Sequence, residues 1–251
     1  MSWLYHTILY QPIYNALIFL YNIIPGHDIG VAIILLTILI KLILWPLSQK
    51  SLRSQKAIQD LQPKVDEIRK KYAQEKEKQA QELMQLYKNN KVNPLSSCLP
   101  LLIQFPFLIA VYQVFRVGLT GSGFESLYPF VTNPGSINAI SFGFLNLAVI
   151  SLPLAILSGA AQYIQTKMLL SKQAPKAVKN EPGAKDEKFM GDMNKSMTYF
   201  MPIMTVIIGA SLPGGLTLYW FVTTVLTILQ QKLTLRPRAV AVVIETKNNE
   251  N

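Results

Sequence analysis

The sequence predicts an all-α polytopic membrane protein: a five-transmembrane-helix core with a cytoplasmic amphipathic helical hairpin. Three observations predict it. Half of the 251 residues are hydrophobic and only 15% are charged, against about 25% charged in an ordinary soluble domain. Apolar runs recur near the length of about 20 residues that a membrane-spanning helix needs. Basic residues are segregated: 22 of the 24 Lys and Arg fall in segments 50–97, 167–196 and 232–251, while 1–29, 118–141 and 213–214 hold none. Cytoplasmic loops carry the excess of Lys and Arg. The N-terminus is therefore expected outside and the C-terminus in the cytoplasm, which requires an odd number of spans.

Residues 1–28 open the chain without Lys or Arg, so the basic start of a signal peptide is missing. Their densest apolar run, Ala16–Ile24, is too short to span, and Pro12 and Pro25 interrupt the segment. Trp3, Tyr5, Tyr10, Tyr14 and Tyr21 favour the membrane interface. The segment reads as an extracytoplasmic interfacial amphipathic helix; a sixth span is the competing reading. The first span is placed at 29–49, with one charge, Lys41. The second is at 98–117, followed by an extracytoplasmic loop at 118–141. The third is at 142–166, in an uncharged run. The fourth, 197–212, is short and ends in the turn sequence Pro213-Gly214-Gly215, which joins it tightly to the fifth at 215–233.

The cytoplasmic parts follow from the same map. In 50–97, Ile58, Leu61, Val65, Ile68 and Tyr72 recur every three or four residues, and Leu83, Leu86 and Tyr87 follow. That spacing predicts two amphipathic helices, turning near 73–79, where Gln74–Gln79 is polar. Their polar faces carry Lys64, Arg69, Lys70, Lys71, Lys88 and Lys91. Such a face suits anionic lipid headgroups, each cation contributing about 1 kcal/mol there; it equally suits ribosomal RNA or an emerging polypeptide. The segment 167–196 reads as a flexible loop, and 234–251 as a short tail.

Polar residues inside the spans mark a candidate site. Lys41 is the most informative, because a Lys at a helix centre costs about 2.5–3.5 kcal/mol to insert. It lies nine residues before Lys50, about 13 Å along a helix, which places it in the inner leaflet. No Asp or Glu occurs in any expected span. An unpaired cation there implies a hydrated concavity open to the cytoplasm; the alternative is a Lys that snorkels to the headgroups. Thr37 lies one turn away on the same face. Gln104 sits between Pro100 and Pro106, and a membrane-embedded amide needs partners. Gln162 and Gln165 on the third span, and Tyr219, Trp220, Thr223, Thr224 and Thr227 on the last, complete the candidate lining, although each Thr can instead bond back to its own helix.

Several function classes are excluded. One Cys and two His leave no disulfide framework, Cys-cluster metal site or His-based catalysis. No phosphate-binding loop or nucleophile–base pair appears, so no enzyme, cofactor or metal is expected. A small-solute or anion transporter using Lys41 remains the alternative function class, against which stands the lack of a visible inverted repeat.

The stretch 86–106, LYKNNKVNPLSSCLPLLIQFP, closely resembles the signature of the YidC/Oxa/Alb family of membrane protein insertases. Further matches are Gln11-Pro12, TILIKLILWPLSQKS at 37–51, LQPK at 61–64, LPGGLTLYW at 212–220 and Ile228–Gln231. The resemblance covers about residues 3–235, in order.

It implies a five-span core with a cytoplasmic hairpin, and a polar inner-leaflet groove open to lipid and cytoplasm. Nascent membrane proteins would be inserted there, alone or beside the Sec translocon. The implied partners are those nascent chains, the Sec translocon, a weakly held ribosome and anionic lipids. The groove position that usually carries Arg carries Lys41 here. The expected location is a bacterial cell membrane, without the large extracytoplasmic domain of Gram-negative members.

Overall fold

The computed structural model describes residues 3–93, 99–118, 123–170 and 198–234. Most of the expected loop at 167–196, the tail beyond residue 234 and residues 94–98 of the signature stretch lie outside the described residues. The described chain is mostly helical, consistent with the all-α expectation.

The first helix, α1, runs over 3–23, with Trp3–Tyr5 and Gln11–Ile23 in α-geometry and a π-turn at His6–Tyr10 between them. Its Ile13, Tyr14, Leu17, Ile18 and Tyr21 are buried in the main core. The opposite side, including Trp3, Leu4, Ile8 and Phe19, is exposed. The segment expected to lie along the interface thus buries one side in the bundle. The inner side packs on the next helix and on α6 (Leu99–Gly118). Polar side chains also tie α1 to the loop after α6. Buried Asn15 donates to the Ser126 carbonyl at 3.0 Å and accepts from the Tyr128 N–H at 2.6 Å. Asn22 donates to the Thr132 carbonyl at 2.6 Å.

α2 (Ile29–Ile43) begins at an N-cap, Asp28, whose carboxylate accepts from Gly30 N and Val31 N. Ala32, Ile33 and Leu36 face the core; Leu35, Leu39, Leu42 and Ile43 are exposed. The segment expected as the first span, 29–49, is bent. α2 stops at Leu44, and α3 (Trp45–Asp60) leaves at 67° to it. The break itself is local: Pro46 has no N–H to return to Leu42, and its ring suits the first turn of a new helix.

The helical hairpin expected after residue 50 also differs from the expectation. α3 continues into α4 (Gln62–Lys71), and after a turn at 72–75 the chain enters α5 (Lys76–Asn89). The polar run expected to be the turn is mostly helix, because Lys, Glu and Gln are good helix formers whatever their polarity. Gln79 donates to the Arg69 carbonyl at 3.1 Å across the turn. Leu52, Leu61 and Val65 are buried outside the main core cluster.

The third expected span, 142–166, needs the largest correction. Ile140–Ser141 (β1) and Leu145–Asn146 (β2) pair antiparallel, and helix α7 begins only at Leu152. The turn between the strands holds Phe142 at φ 52° and Gly143 at φ 78°, which no helix can accommodate. An apolar run cannot by itself separate a buried strand from a helix. α8 (Thr198–Gly209) and α9 (Gly214–Thr234) then form the expected helical pair. The first N–H groups of α9 are satisfied from outside the helix: Gly214 N donates to Val149 O at 2.8 Å and Gly215 N to Leu147 O at 2.9 Å.

α9 is the spine of the bundle, packing on α2, α3, α6 and α7. Large apolar side chains point away from it: Phe105 on α6, Ile156 on α7 and Ile203 on α8 are each more than half exposed, at 57%, 60% and 57%. Exposed apolar surface on this scale marks contact with lipid or another protein. Among the described residues no single helix is long and apolar enough to cross a membrane. The bent pair α2–α3 is, taken together, and α8 is a shorter apolar helix. α7 and α9 have the length, 19 and 21 residues, but interleave Gln, Thr and Tyr with their apolar positions.

Candidate functional site

α9 presents a polar ladder. Tyr219, Thr223, Thr227, Gln231 and Thr234 recur at three- or four-residue spacing, which stacks them on one face of a helix. The helices that pack on α9 meet this ladder with the polar groups of the expected spans.

Two of those meetings are direct. Gln104 on α6 donates through Nε2 to the Tyr219 hydroxyl at 2.7 Å. Lys41 on α2 donates through Nζ to the Thr227 hydroxyl at 2.8 Å, and that hydroxyl donates in turn to the Thr223 carbonyl at 2.7 Å. A hydroxyl can accept from an ammonium and donate to its own helix at once, so Thr227 suits this place. Among the described residues no carboxylate lies within ion-pair distance of Lys41. One neutral hydroxyl therefore takes one of three N–H donors. The side chain is partly exposed, so the remaining donors can be met by water or by an anionic group.

The other expected lining residues divide. Thr37 is fully buried and donates to its own helix at Ile33 O, 2.6 Å, as Thr residues in helices commonly do. It packs beneath Lys41 without offering a free hydroxyl. Thr223 Oγ1 is buried against the Tyr219 hydroxyl, and Thr234 Oγ1, further along the ladder, is buried with no hydrogen-bond partner among the described residues. Trp220 is half-buried, and its carbonyl accepts from Thr224. Gln162 is half-buried on α7, and its carbonyl accepts from Thr166. No contact brings Gln162 to Lys41 among the described residues. Sequence reasoning offered Thr227 for the lining but did not place Gln230 or Gln231 in the site. The four-residue spacing from Tyr219 to Thr223 to Thr227 continues to Gln231 and was the signal that could have found it.

The basic hairpin residues are spread rather than clustered. Lys64, Lys71, Lys88 and Lys91 are exposed; Arg69 and Lys70 are half-buried. Tyr72 lies between two ammonium groups, with Lys71 Nζ at 5.2 Å and Lys78 Nζ at 5.3 Å from its ring centre. Arg69 Nη1 is buried without a hydrogen-bond partner among the described residues.

Similarity to known proteins follows these features. Residues 19–240 match the family described as 60Kd inner membrane protein. Three relatives carry the name membrane protein insertase YidC. The one from Syntrophobacter fumaroxidans is 36% identical over 226 residues, covering 90% of this chain and 37% of that protein. The one from Fusobacterium nucleatum is 32% identical over 227 residues, 90% of this chain and 96% of its own. The one from Clostridium tetani is 37% identical over 214 residues, 83% and 84% of the two chains. This chain thus spans little more than a third of the first relative and nearly all of the second. The family match takes in α2 with Lys41, the hairpin, α6 with Gln104 and the whole ladder of α9: the chain belongs to the 60Kd inner membrane protein family.

Proposed function

We propose that this protein is a membrane protein insertase that passes the polar end of a nascent membrane protein through a hydrophilic groove in the inner leaflet. The carrying observation is the Lys41–Thr227 contact at 2.8 Å: one cation on an apolar helix, held by a neutral hydroxyl and otherwise available. A substrate with an acidic translocated end enters from the cytoplasm. Lys41, Thr223 and the Gln104–Tyr219 pair replace part of its hydration. Its apolar segment moves into lipid along the exposed faces of the bundle. Burying that segment supplies the free energy, helped for acidic ends by the membrane potential at about 2.3 kcal/mol per charge per 100 mV. No bond is made or broken, so the site needs no nucleophile. The basic hairpin recruits substrate, with anionic lipid and a weakly held ribosome as further partners, acting alone or beside the Sec translocon.

Reconstitution into liposomes tests this reading. The expected result is insertion of a single-span substrate without uptake of small anions. Anion uptake without insertion would assign the transporter reading instead.

The proposed orientation has five spans, the hairpin in the cytoplasm and the loop after α6 outside. In a Cys98→Ser background, Gln74→Cys is expected to react only with a thiol reagent on the cytoplasmic side, and Glu125→Cys only from outside. Outside labelling at position 74 would overturn the orientation.

A further inference from the structure

The bend between α2 and α3 sets where the cytoplasmic hairpin leaves the bundle. A proline break removes hydrogen bonds but does not choose an angle; that choice falls to tertiary contacts. The structure supplies two, both from α9 and one on each side of the break. On the α2 side Lys41 donates to Thr227. On the α3 side Gln230 donates through Nε2 to the Trp45 carbonyl at 3.3 Å. Lys41 and Trp45 are four residues apart, and Thr227 and Gln230 three, so consecutive turns of α9 grip consecutive turns of the bent pair. Gln230 is 2% exposed. A primary amide so far from water needs a partner, and the only side-chain bond from Gln230 among the described residues reaches the first residue of α3. No exposed role competes for it.

We infer that Gln230 is a positioning residue: its bond to the Trp45 carbonyl holds the angle at Leu44 and so aims the hairpin relative to Lys41. The inference rests on the proposed insertase only for its consequence, because the geometry exists without substrate. If it holds, the hairpin's aim depends on α9, the helix that also carries the partner of Lys41. Groove and recruitment arm then share one support.

The test reads the angle directly. In the full chain with Cys98→Ser, spin labels at Asp60→Cys and Lys232→Cys, both exposed, report the α3–α9 distance by pulsed electron resonance. Labels at Lys167→Cys and Lys232→Cys report α7–α9 as the control for an intact bundle. Gln230→Met keeps the volume and removes the donor; Gln230→Glu, ionised, is a second variant of nearly the same shape. The expected result is a shifted and broadened 60–232 distribution in both variants, with 167–232 unchanged. An unchanged 60–232 distribution in either variant overturns the inference. Broadening of both pairs in both variants also overturns it, by making Gln230 a general packing residue. Neither readout uses substrate. Failure of the insertase reading would leave this result standing, and failure here would leave liposome insertion untouched.

Discussion

Lys41→Glu is expected to abolish insertion of substrates with acidic translocated ends, and Lys41→Ala to weaken it strongly, while Lys41→Arg keeps most activity. Among the described residues the ammonium is the one charged group of the candidate groove, and its structural contact is a single hydroxyl, Thr227. A hydrogen bond to a charged group contributes about 1.5–3 kcal/mol, which corresponds to about 10- to 150-fold. That is the loss expected for Lys41→Ala with an acidic end. Glu goes further because it repels the same end. Arg retains the charge, with a planar fork in place of a compact ammonium. Substrates with neutral ends should lose much less, because they make no ion pair. The measurement is insertion of a matched pair, acidic and neutral at the translocated end, in cells depleted of their own insertase. Equal activity of the native protein and Lys41→Ala on both substrates would remove the charge from the mechanism. A snorkelling Lys predicts that outcome, because its removal only relieves an insertion cost.

Gly30→Ala is expected to destabilise the bundle by about 1–3 kcal/mol or more, the usual range for overpacking. A Cβ at Gly30 would lie 2.0 Å from Ser141 Oγ and 2.8 Å from Ser141 Cβ. The loop carrying β1 sits this close because Asp28 holds it there. Its carboxylate accepts from the Ser141 hydroxyl, from Phe142 N at 2.6 Å and from the first N–H groups of α2. Combining Gly30→Ala with Ser141→Gly should restore part of the melting temperature. If the double variant is no more stable than Gly30→Ala alone, the close approach is not the cause.

The Asp28 clamp also has a pH signature. Burial by itself raises the Asp28 carboxyl, but the Ser141 hydroxyl and the N–H groups of Phe142, Val31 and Gly30 outweigh it, leaving the group below its ordinary value of 3.8. A depressed carboxylate stabilises the fold above its unfolded value and loses that contribution as pH falls through the folded one. The stability gap between the native protein and Asp28→Ala should therefore stay flat from pH 7 down to the ordinary carboxylate range, and shrink only below it. A gap that closes between pH 7 and 5 would contradict the clamp.

Much of this protein is determined by its sequence alone, because apolar length and helical period are local properties. The helices at 29–43, 99–118 and 214–234 are legible in that way, as is the helical hairpin after residue 50. Lys41, Gln104 and Tyr219 stand out because a polar group in an apolar run is costly and has to be met. What meets it is not local. That Lys41 reaches Thr227 rather than Thr223 depends on how α2 crosses α9, and that Gln104 reaches Tyr219 depends on the same spine. The hairpin at 140–146 escaped hydropathy because Phe142 and Phe144 are as apolar as any helix residue; the positive φ of Phe142 and Gly143 is what stops a helix there. Pro46 announces a break, but not the 67° bend or that α9 packs on both arms of it and carries Gln230 to the Trp45 carbonyl. The residues name the groups that need partners, and only the packing of four helices on a fifth chooses the partners.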